Sequence, residues 1–448
     1  MTVKTRQTGH NEELIPLRSI PGVNVFQYPP AMPAGPGAKE QFAGNLALTQ
    51  RLAQGEEFTM FVSIPYCKVR CNSCPYFKAK MPKGAGYDFL DPYVSALETQ
   101  MAAYAQTERF RSGTLAAIYM GGGTASLLSA DQVRRIVGFA KSAFRTSAGM
   151  EITLEGNPSD FNRAYYAEVV SHGINRLSIG YQSADSDILV DKLGSPHNAS
   201  EGLRSLQDAI QAGFRTVNVD MLYGIPGQKL EQWQRDLGIV IGLGPESVTT
   251  YSYIVYGNTV AELRIRKGTL DAQIDDDEKH RWYLYTKGTF EDNGYVLYKK
   301  GHFIRPGHPQ AYSDLSYRVG TESLGIGAGA YSFVNGYLFM SVGNPKKFTT
   351  DMERGLFTAA DFQSSQANTD ARMAKYLMHS VATGTIDVQE FRVMFGTDPR
   401  NVYRAIFEEM SAKGLTESGD GSISMTDRGT RWQQNIMSAF YHEGLRRA

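Results

Sequence analysis

From about residue 58 the chain alternates short apolar runs with longer amphipathic stretches. The runs Phe58–Ile64, Ala116–Met120, Met150–Leu154, Arg176–Ile179, Thr216–Leu222 and Ser247–Ile254 read as strands. They are short and rich in residues that suit a pleated, buried surface. Between them, Pro92–Ala105, Ala130–Phe144, Phe161–Ser171, Glu201–Ala212 and Leu230–Leu243 carry apolar residues at helical spacing. Asp91, Ser129 and Ser200 stand where N-caps belong, Pro92 suits a first helical position, and Gly213 reads as a helix stop. Repeated strand–helix units predict a parallel sheet covered by helices. Six strand runs predict an open, partial barrel, because the two further units of a closed eightfold barrel are not visible.

The flanks read differently. Residues 1–57 form a loop-rich lead-in, with Tyr28-Pro29-Pro30 and Pro33-Ala34-Gly35-Pro36-Gly37. Residues 58–270 carry the barrel pattern. Residues 271–367, rich in Tyr, Gly and Phe, read as a barrel extension or a cover over the site. From 368 to 448 the pattern turns helical: Ala371–Val381, Val388–Met394 and Arg400–Lys413 precede a hairpin, Leu415–Met425, around Asp420-Gly421. A last helix covers Thr430–Phe440. The expected fold class is therefore α/β: a partial (β/α)₆ barrel with a small C-terminal helical, winged-helix-like domain.

Charge narrows the partners. Lys+Arg and Asp+Glu are equal at 46 each in 448 residues, so no general pull toward nucleic acid or an anionic membrane exists. The tail does carry Arg428, Arg431, Arg446 and Arg447. A winged helix is a common packing module, however, and a DNA-binding regulator is the weaker reading. No apolar run approaches the ~20 residues of a membrane span. Met1–Asn11 is polar and lacks an apolar signal core, which predicts a cytoplasmic protein with no membrane or nucleic-acid partner.

The only three cysteines, Cys67, Cys71 and Cys74, fall in one short window. A disulfide framework would spread them in even number. The window follows the first strand and Pro65, at the strand end where barrels place chemistry. Thiolates ligate iron–sulfur clusters, and a cubane has four irons. Three thiolates cap three irons, and no further Cys fills the fourth. S-adenosylmethionine (SAM) can supply its amino and carboxylate groups there and receive an electron at its sulfonium. A structural Cys₃His zinc site is the bland alternative, but His10 and His172 are the nearest histidines and neither is local.

Further motifs sit at the ends of successive strands. Gly121-Gly122-Gly123-Thr124 follows the second, where glycines let backbone amides approach a ligand, or simply make a tight turn. Glu155-Gly156-Asn157-Pro158 follows the third and offers a carboxylate, or a solvated loop charge. Gly180-Tyr181-Gln182-Ser183 follows the fourth, with Gln182 as a ribose contact or a turn-capping amide. Asp220, before Tyr223-Gly224-Ile225-Pro226-Gly227, interrupts an apolar run, and a buried carboxylate needs a partner.

With these pieces the chain resembles radical SAM enzymes similar to oxygen-independent coproporphyrinogen III oxidase, over about 58–440. Ile64-Pro65-Tyr66-Cys67, Leu177–Ser183, Leu193-Gly194 with His197, Phe303-Ile304-Arg305-Pro306-Gly307, Gly325–Ala330 and Met425–Gly429 complete the likeness. The resemblance implies a [4Fe–4S] cluster on Cys67, Cys71 and Cys74. It also implies two SAM molecules, one on the cluster and cleaved to a 5′-deoxyadenosyl radical. Gly122, Gly123, Thr124, Glu155, Gln182, Asp220 and Gly327 look like SAM contacts. Gln182, Tyr298, His302 and Arg305 are the candidates for reaching a small-molecule substrate. An electron donor such as flavodoxin or ferredoxin is expected.

The chain departs from the family at Phe61 and Ser63, where Tyr and His are usual, and at Ser73, where an aromatic residue is common. Pro75-Tyr76-Phe77 replaces Gly-Cys, and Ser195 replaces an Arg. These changes spare the cluster but alter its surroundings. They lead to the expectation of a methyltransferase or cyclopropane-forming enzyme. Its radical would add a methyl or methylene carbon to an sp² carbon. The alternative is the oxidase itself or a haem-handling relative, either haem-opening or a haem chaperone.

Overall fold

The strand–helix alternation is realised in the larger of two units, residues 30–366. The computed structural model describes residues 13–18, 28–47, 52, 56–76 and 79–447. Met1–Asn11, His10 and Phe77, used above, lie outside them. In chain order the larger unit contains β1 (Met32–Pro33), α1 (Ala38–Ala47), β2 (Glu57–Ile64), β3 (Tyr66–Cys67), β4 (Ala79–Lys80), α2 (Asp91–Ala105), β5 (Thr114–Gly122) and α3 (Ala130–Ala143). There follow β6 (Thr146–Gly156), α4 (Arg163–Ser171), β7 (Arg176–Gln182), α5 (Ala199–Gln211), β8 (Thr216–Tyr223), α6 (Leu230–Leu243) and β9 (Ser247–Ser252). Then come α7 (Val260–Arg266), α8 (Asp276–Asp292), β10 (Val296–Lys299), β11 (His302–Ile304), α9 (Ala311–Tyr317), β12 (Glu322–Ile326), β13 (Tyr331–Val334), β14 (Tyr337–Ser341), α10 (Pro345–Glu353) and β15 (Ala360–Gln363).

One sheet of 13 strands runs in the order β1-β15-β14-β13-β12-β2-β5-β6-β7-β8-β9-β11-β10. The six strands β2 to β9 are parallel neighbours, and β12 adds a further parallel strand beside β2. Antiparallel strands finish both sides, so the sheet is not closed on itself. Residues 271–367 thus supply strands on both flanks of the six.

Period-two alternation divides the strands between two faces. Val62, Met120, Leu154, Leu177 and Val217 lie side by side in register and are fully buried, as are Met60, Ile118 and Ile152. They pack against the helices, and burying each such side chain contributes about 1.5–3 kcal/mol. The opposite face is polar and aromatic. Phe61, Tyr119, Thr153, Arg176 and Thr216 align across it, as do Glu155, Ser178, Asn218 and Ser247. Asp220, Thr249 and His302 make a third line.

The helices start where local chemistry places them. Ser129 and Gln132 form a capping box for α3. For α5 the cap is Asn198 rather than Ser200. The Asn198 side chain accepts from the Glu201 amide, and the Ser200 hydroxyl donates back to Asn198 Oδ1 at 2.8 Å. Asp91 is the first residue of α2, not its cap. Its carboxylate takes the Gln132 amide nitrogen at 2.7 Å. The lead-in is not loop throughout, since α1 buries Phe42 and Leu46 in the core and Phe42 stacks on Phe339 at 4.2 Å.

The smaller unit joins the first 29 residues to 367–448. It contains α11 (Thr369–Thr383), β16 (Thr385–Asp387), α12 (Val388–Phe395), α13 (Pro399–Val402), α14 (Arg404–Ala412), β17 (Thr416–Ser418), β18 (Ser422–Met425), α15 (Asp427–Arg431) and α16 (Gln433–Arg447). The three strands form an antiparallel sheet ordered β16-β18-β17. The helix expected over Arg400–Lys413 breaks at Tyr403, and the last begins after a break at Trp432. The Ile15 amide donates to Glu409 Oε1 at 2.8 Å, which fastens the start of the chain to α14. Among the described residues no helix is long and apolar enough to cross a membrane.

Candidate active site

The cysteine loop leaves β2 at Pro65. Its entry pairs β3 with β4, and the Met81 amide donates to the Cys67 carbonyl at 2.9 Å. The Cys74 amide donates to the Cys71 carbonyl at 3.3 Å and turns the loop back. Asn72 pins its middle. Its amide donates to Leu193 O at 2.8 Å, its side chain to Lys192 O at 3.0 Å, and its carbonyl accepts from Ala261 at 2.9 Å. Gly194 has φ +63°, and a Cβ there would stand 3.0 Å from Asn72 Oδ1, which accounts for the Leu193-Gly194 motif.

All three thiols are free and half-buried. Burial, with the Cys74 and Cys67 thiols beside it, pushes Cys71 up to about 11. Binding iron would replace those protons. Among the described residues no three His, Cys, Asp or Glu side chains converge on a point fit for one metal ion. A cubane needs no such convergence, because each thiolate meets a different iron.

The loop opens onto a cavity whose lining includes the three cysteines, Gly123, Thr124, Glu155, Gln182 and Asp220. A Cβ on Gly123 would meet Ile64 O at 2.6 Å and Tyr66 O at 2.8 Å, so only glycine lets this segment lie against the loop. Glu155 and Asp220 are pushed up to about 7 and about 6 by burial; each also feels Arg176, which lowers both. Asp220 takes hydrogen bonds from Ser178 at 3.0 Å and Asn218 at 2.9 Å. Gln182 has φ +65°, and its buried Oε1 has no partner. A strained residue presenting an orphan acceptor to a cavity is a ligand-binding feature.

Not every expected residue is here. Gly122 has φ +102° and is exposed, next to the lining rather than in it. Gly327 lies against α2, where a Cβ would meet Tyr93 Oη at 2.6 Å, and its amide donates to Gln100 at 2.8 Å. That is close packing of β12 on a helix. His302 faces the concave side, with Nδ1 3.4 Å from Thr249 Oγ1, and Tyr298 lies 5.4 Å from Lys299 Nζ. Arg305 is at the other end of the strands. Its amide donates to Glu246 O at 2.8 Å, and its guanidinium lies 4.6 Å over the Tyr295 ring. The sequence reading missed Asp160, which lines the cavity and takes Lys68 at 2.5 Å and Ser126 at 2.9 Å. It also missed Arg176 and Lys299. The available signal was a cation at a strand position with the parity of Ser178 and Gln182.

Residues 61–238 match the model of the radical SAM superfamily. The haem chaperone HemW of Bacillus subtilis is 25% identical over 389 residues, covering 86% of this chain and 99% of that protein. The anaerobilin synthase of Escherichia coli O157:H7 is 24% identical over 405 residues, covering 90% and 88%. The solved coproporphyrinogen III oxidase (HemN) of E. coli superposes with a TM-score of 0.75 at 19% identity, covering 89% and 92%, and shows the same fold.

These findings overturn the expectation of a methyltransferase or cyclopropanase. Phe61, Ser63, Ser73 and Pro75 surround a retained cluster site, and such changes occur within one fold without naming its reaction. The cofactors are a [4Fe–4S] cluster and SAM. The three thiolates, the Gly123 cradle and the orphan Gln182 acceptor fit them. Residues 61–238 thus form a radical SAM domain, with the ligating loop after its first strand, in an α/β radical SAM fold.

Proposed function

We propose that the protein is a radical SAM enzyme whose substrate is haem or a closely related tetrapyrrole. One observation carries this reading. Relatives aligned over 86% and 90% of the chain are named for haem and for a bilin, an open-chain tetrapyrrole. The concave face supports it. Phe61 and Tyr119 stack at 6.0 Å, and Tyr251 lies 6.0 Å from His302 with 47% of its surface open. Aromatic faces of this kind suit a flat macrocycle.

When bound, the cluster supplies one electron to the SAM sulfonium, and the protein supplies orientation. Cys67, Cys71 and Cys74 would hold the cluster through their thiolates, and the sequence has no other cysteine. Glu155 and Asp220 are placed to accept from the amino and ribose groups of SAM, and Gln182 from a hydroxyl. Gly123 and Thr124 line the cavity wall, and their amides are taken by Ile64 O at 3.0 Å and Tyr66 O at 2.9 Å. The strands β7 to β9 carry the polar side chains that orient the substrate below. A one-electron donor of flavodoxin or ferredoxin type is required.

The match to 99% of a haem chaperone's length favours a second reading, in which haem is held and passed on unchanged. Anaerobic incubation of the reconstituted protein with haem, SAM and reductant separates the two. SAM-dependent loss of the haem Soret band supports the enzyme. Haem retained intact on the protein supports the chaperone. Porphyrin fluorescence from coproporphyrinogen III instead would select the oxidase reaction.

A further inference from the structure

The strand face that carries Glu155 and Asp220 also carries three basic side chains, Arg176, Lys299 and His302. Arg176 is 5% exposed, and its buried Nε has no hydrogen-bond partner. It lies one residue pair before Ser178 on β7, on the same face, about 7 Å further from the cysteine end of the strand. Lys299 is 6% exposed, donates to the Ser313 hydroxyl and lies 4.3 Å over the Tyr317 ring. His302 is opposite Lys299 in the β10–β11 pair and opposite Thr249 on β9.

Arg176 disfavours a second positive charge on Lys299, and both disfavour one on His302. Burial and Arg176 push Lys299 down to about 7, and burial with both cations holds His302 well below its usual range. Their neighbours are a hydroxyl, a tyrosine face and each other, not carboxylates in contact. Among the described residues no salt bridge joins Arg176 to a carboxylate, although Glu155 and Asp220 both feel its charge. A buried cationic group without a counter-ion is costly and is kept where an anion will pair with it.

We infer that Arg176, Lys299 and His302 form a carboxylate-binding site on the strand face that carries Glu155 and Asp220, which takes a propionate side chain of the substrate. The inference rests on the tetrapyrrole reading above and makes it more specific. A planar guanidinium suits a carboxylate in two-point contact, and an adjacent ammonium adds charge. The site would hold the macrocycle by its acidic edge and direct the opposite edge up toward the cysteine loop. A methionine carboxylate from a further SAM has the same chemistry, so the test separates the two sources.

The probes are haemin, with two free propionates, and its dimethyl ester, added to the full-length reconstituted protein. Affinities are read from the Soret shift. The wild type should bind the free acid at least about tenfold more tightly than the ester. Arg176→Met and Lys299→Met should each weaken the free acid about tenfold and leave the ester unchanged. SAM affinity in Lys299→Met should match the wild type. Equal binding of acid and ester by the wild type overturns the carboxylate site and leaves the tetrapyrrole reading standing. So does a loss of SAM affinity in Lys299→Met with haemin binding intact. The ester comparison needs no variant to fold. If the wild type binds neither compound, both readings fall together.

Discussion

Ser178 on β7 donates its hydroxyl to Asp220 on β8 at 3.0 Å, across the face that opens toward the cysteine loop. With Asn218 it holds a buried carboxylate in one orientation. Ser178→Ala should leave about four irons per chain, because it is remote from the loop. It should weaken SAM binding about 5–10-fold, the cost of one lost hydrogen bond to a charged group. Asp220→Ala should weaken it further. Isothermal titration with SAM checks both, and unchanged affinity in the two variants would remove Asp220 from the site.

Glu155 gives a pH dependence. Burial holds its ligand-free carboxyl near 7, so below that pH it carries a proton and cannot accept from the SAM ammonium. SAM affinity should therefore fall as pH drops from 8 to 6, by about tenfold per unit below the midpoint. Glu155→Gln should bind SAM weakly at every pH and flatten the profile. A wild-type profile already flat from 6 to 8 would contradict the assignment.

Gly123 separates packing from chemistry. A Cβ there would stand 2.9 Å or less from backbone atoms of Ile64, Pro65 and Tyr66. Those atoms cannot swing aside as a side-chain tip can. Gly123→Ala should displace the entry to the loop and lower iron content on reconstitution, while Gly138→Ala, with nothing within 4 Å, should not. Iron and sulfide assay decides. Full iron in Gly123→Ala would show the loop to be more yielding than its contacts imply.

The strand runs and main helices were legible because each obeys one period: the fully buried Val62–Met120–Leu154 line and the Ser129 box both follow from local pattern. The cysteine loop and the acids Glu155 and Asp220 were legible because they recur at strand ends. What was not legible depends on pairing between distant segments. Strands β10 to β15 are short, aromatic and glycine-rich, with no helices between most of them, so no repeat announces them. Lys299 comes within range of the Arg176 charge only once β10 and β11 have folded beside β9. Arg305 sits in a motif, yet the antiparallel direction of β11 carries it to the far end of the sheet. Gly327 looks like a ligand glycine in sequence, and only the approach of Tyr93 explains it.

Asp398 tests the C-terminal unit. Its carboxylate caps α13 through the Arg400 amide at 2.8 Å and pairs with the Arg400 and Arg392 guanidinium groups at 2.7 and 2.5 Å. Arg400 and Arg392 hold that carboxyl well below the usual range. A depressed folded-state value contributes stability above the unfolded value of about 4, and loses it as pH falls further. Both arginines are 46% exposed, so solvent screens the ion pairs and the cap dominates. Asp398→Ala should cost about 1–2 kcal/mol at pH 7 and somewhat less at pH 3, where the unfolded carboxyl is largely protonated but the folded one is not. Thermal melts at the two pH values check it, and an equal loss at both would contradict the electrostatic part.

The central claim joins the SAM-cleaving loop to a tetrapyrrole on the strand face beside it. Its most direct test is the yield of 5′-deoxyadenosine from the reduced, reconstituted protein with and without haem, beside a Cys71→Ala control. Haem should raise the yield at least about tenfold, the effect of a substrate that completes the site, and Cys71→Ala should give none in either condition. A wild-type yield that neither haem nor coproporphyrinogen III changes would contradict the account.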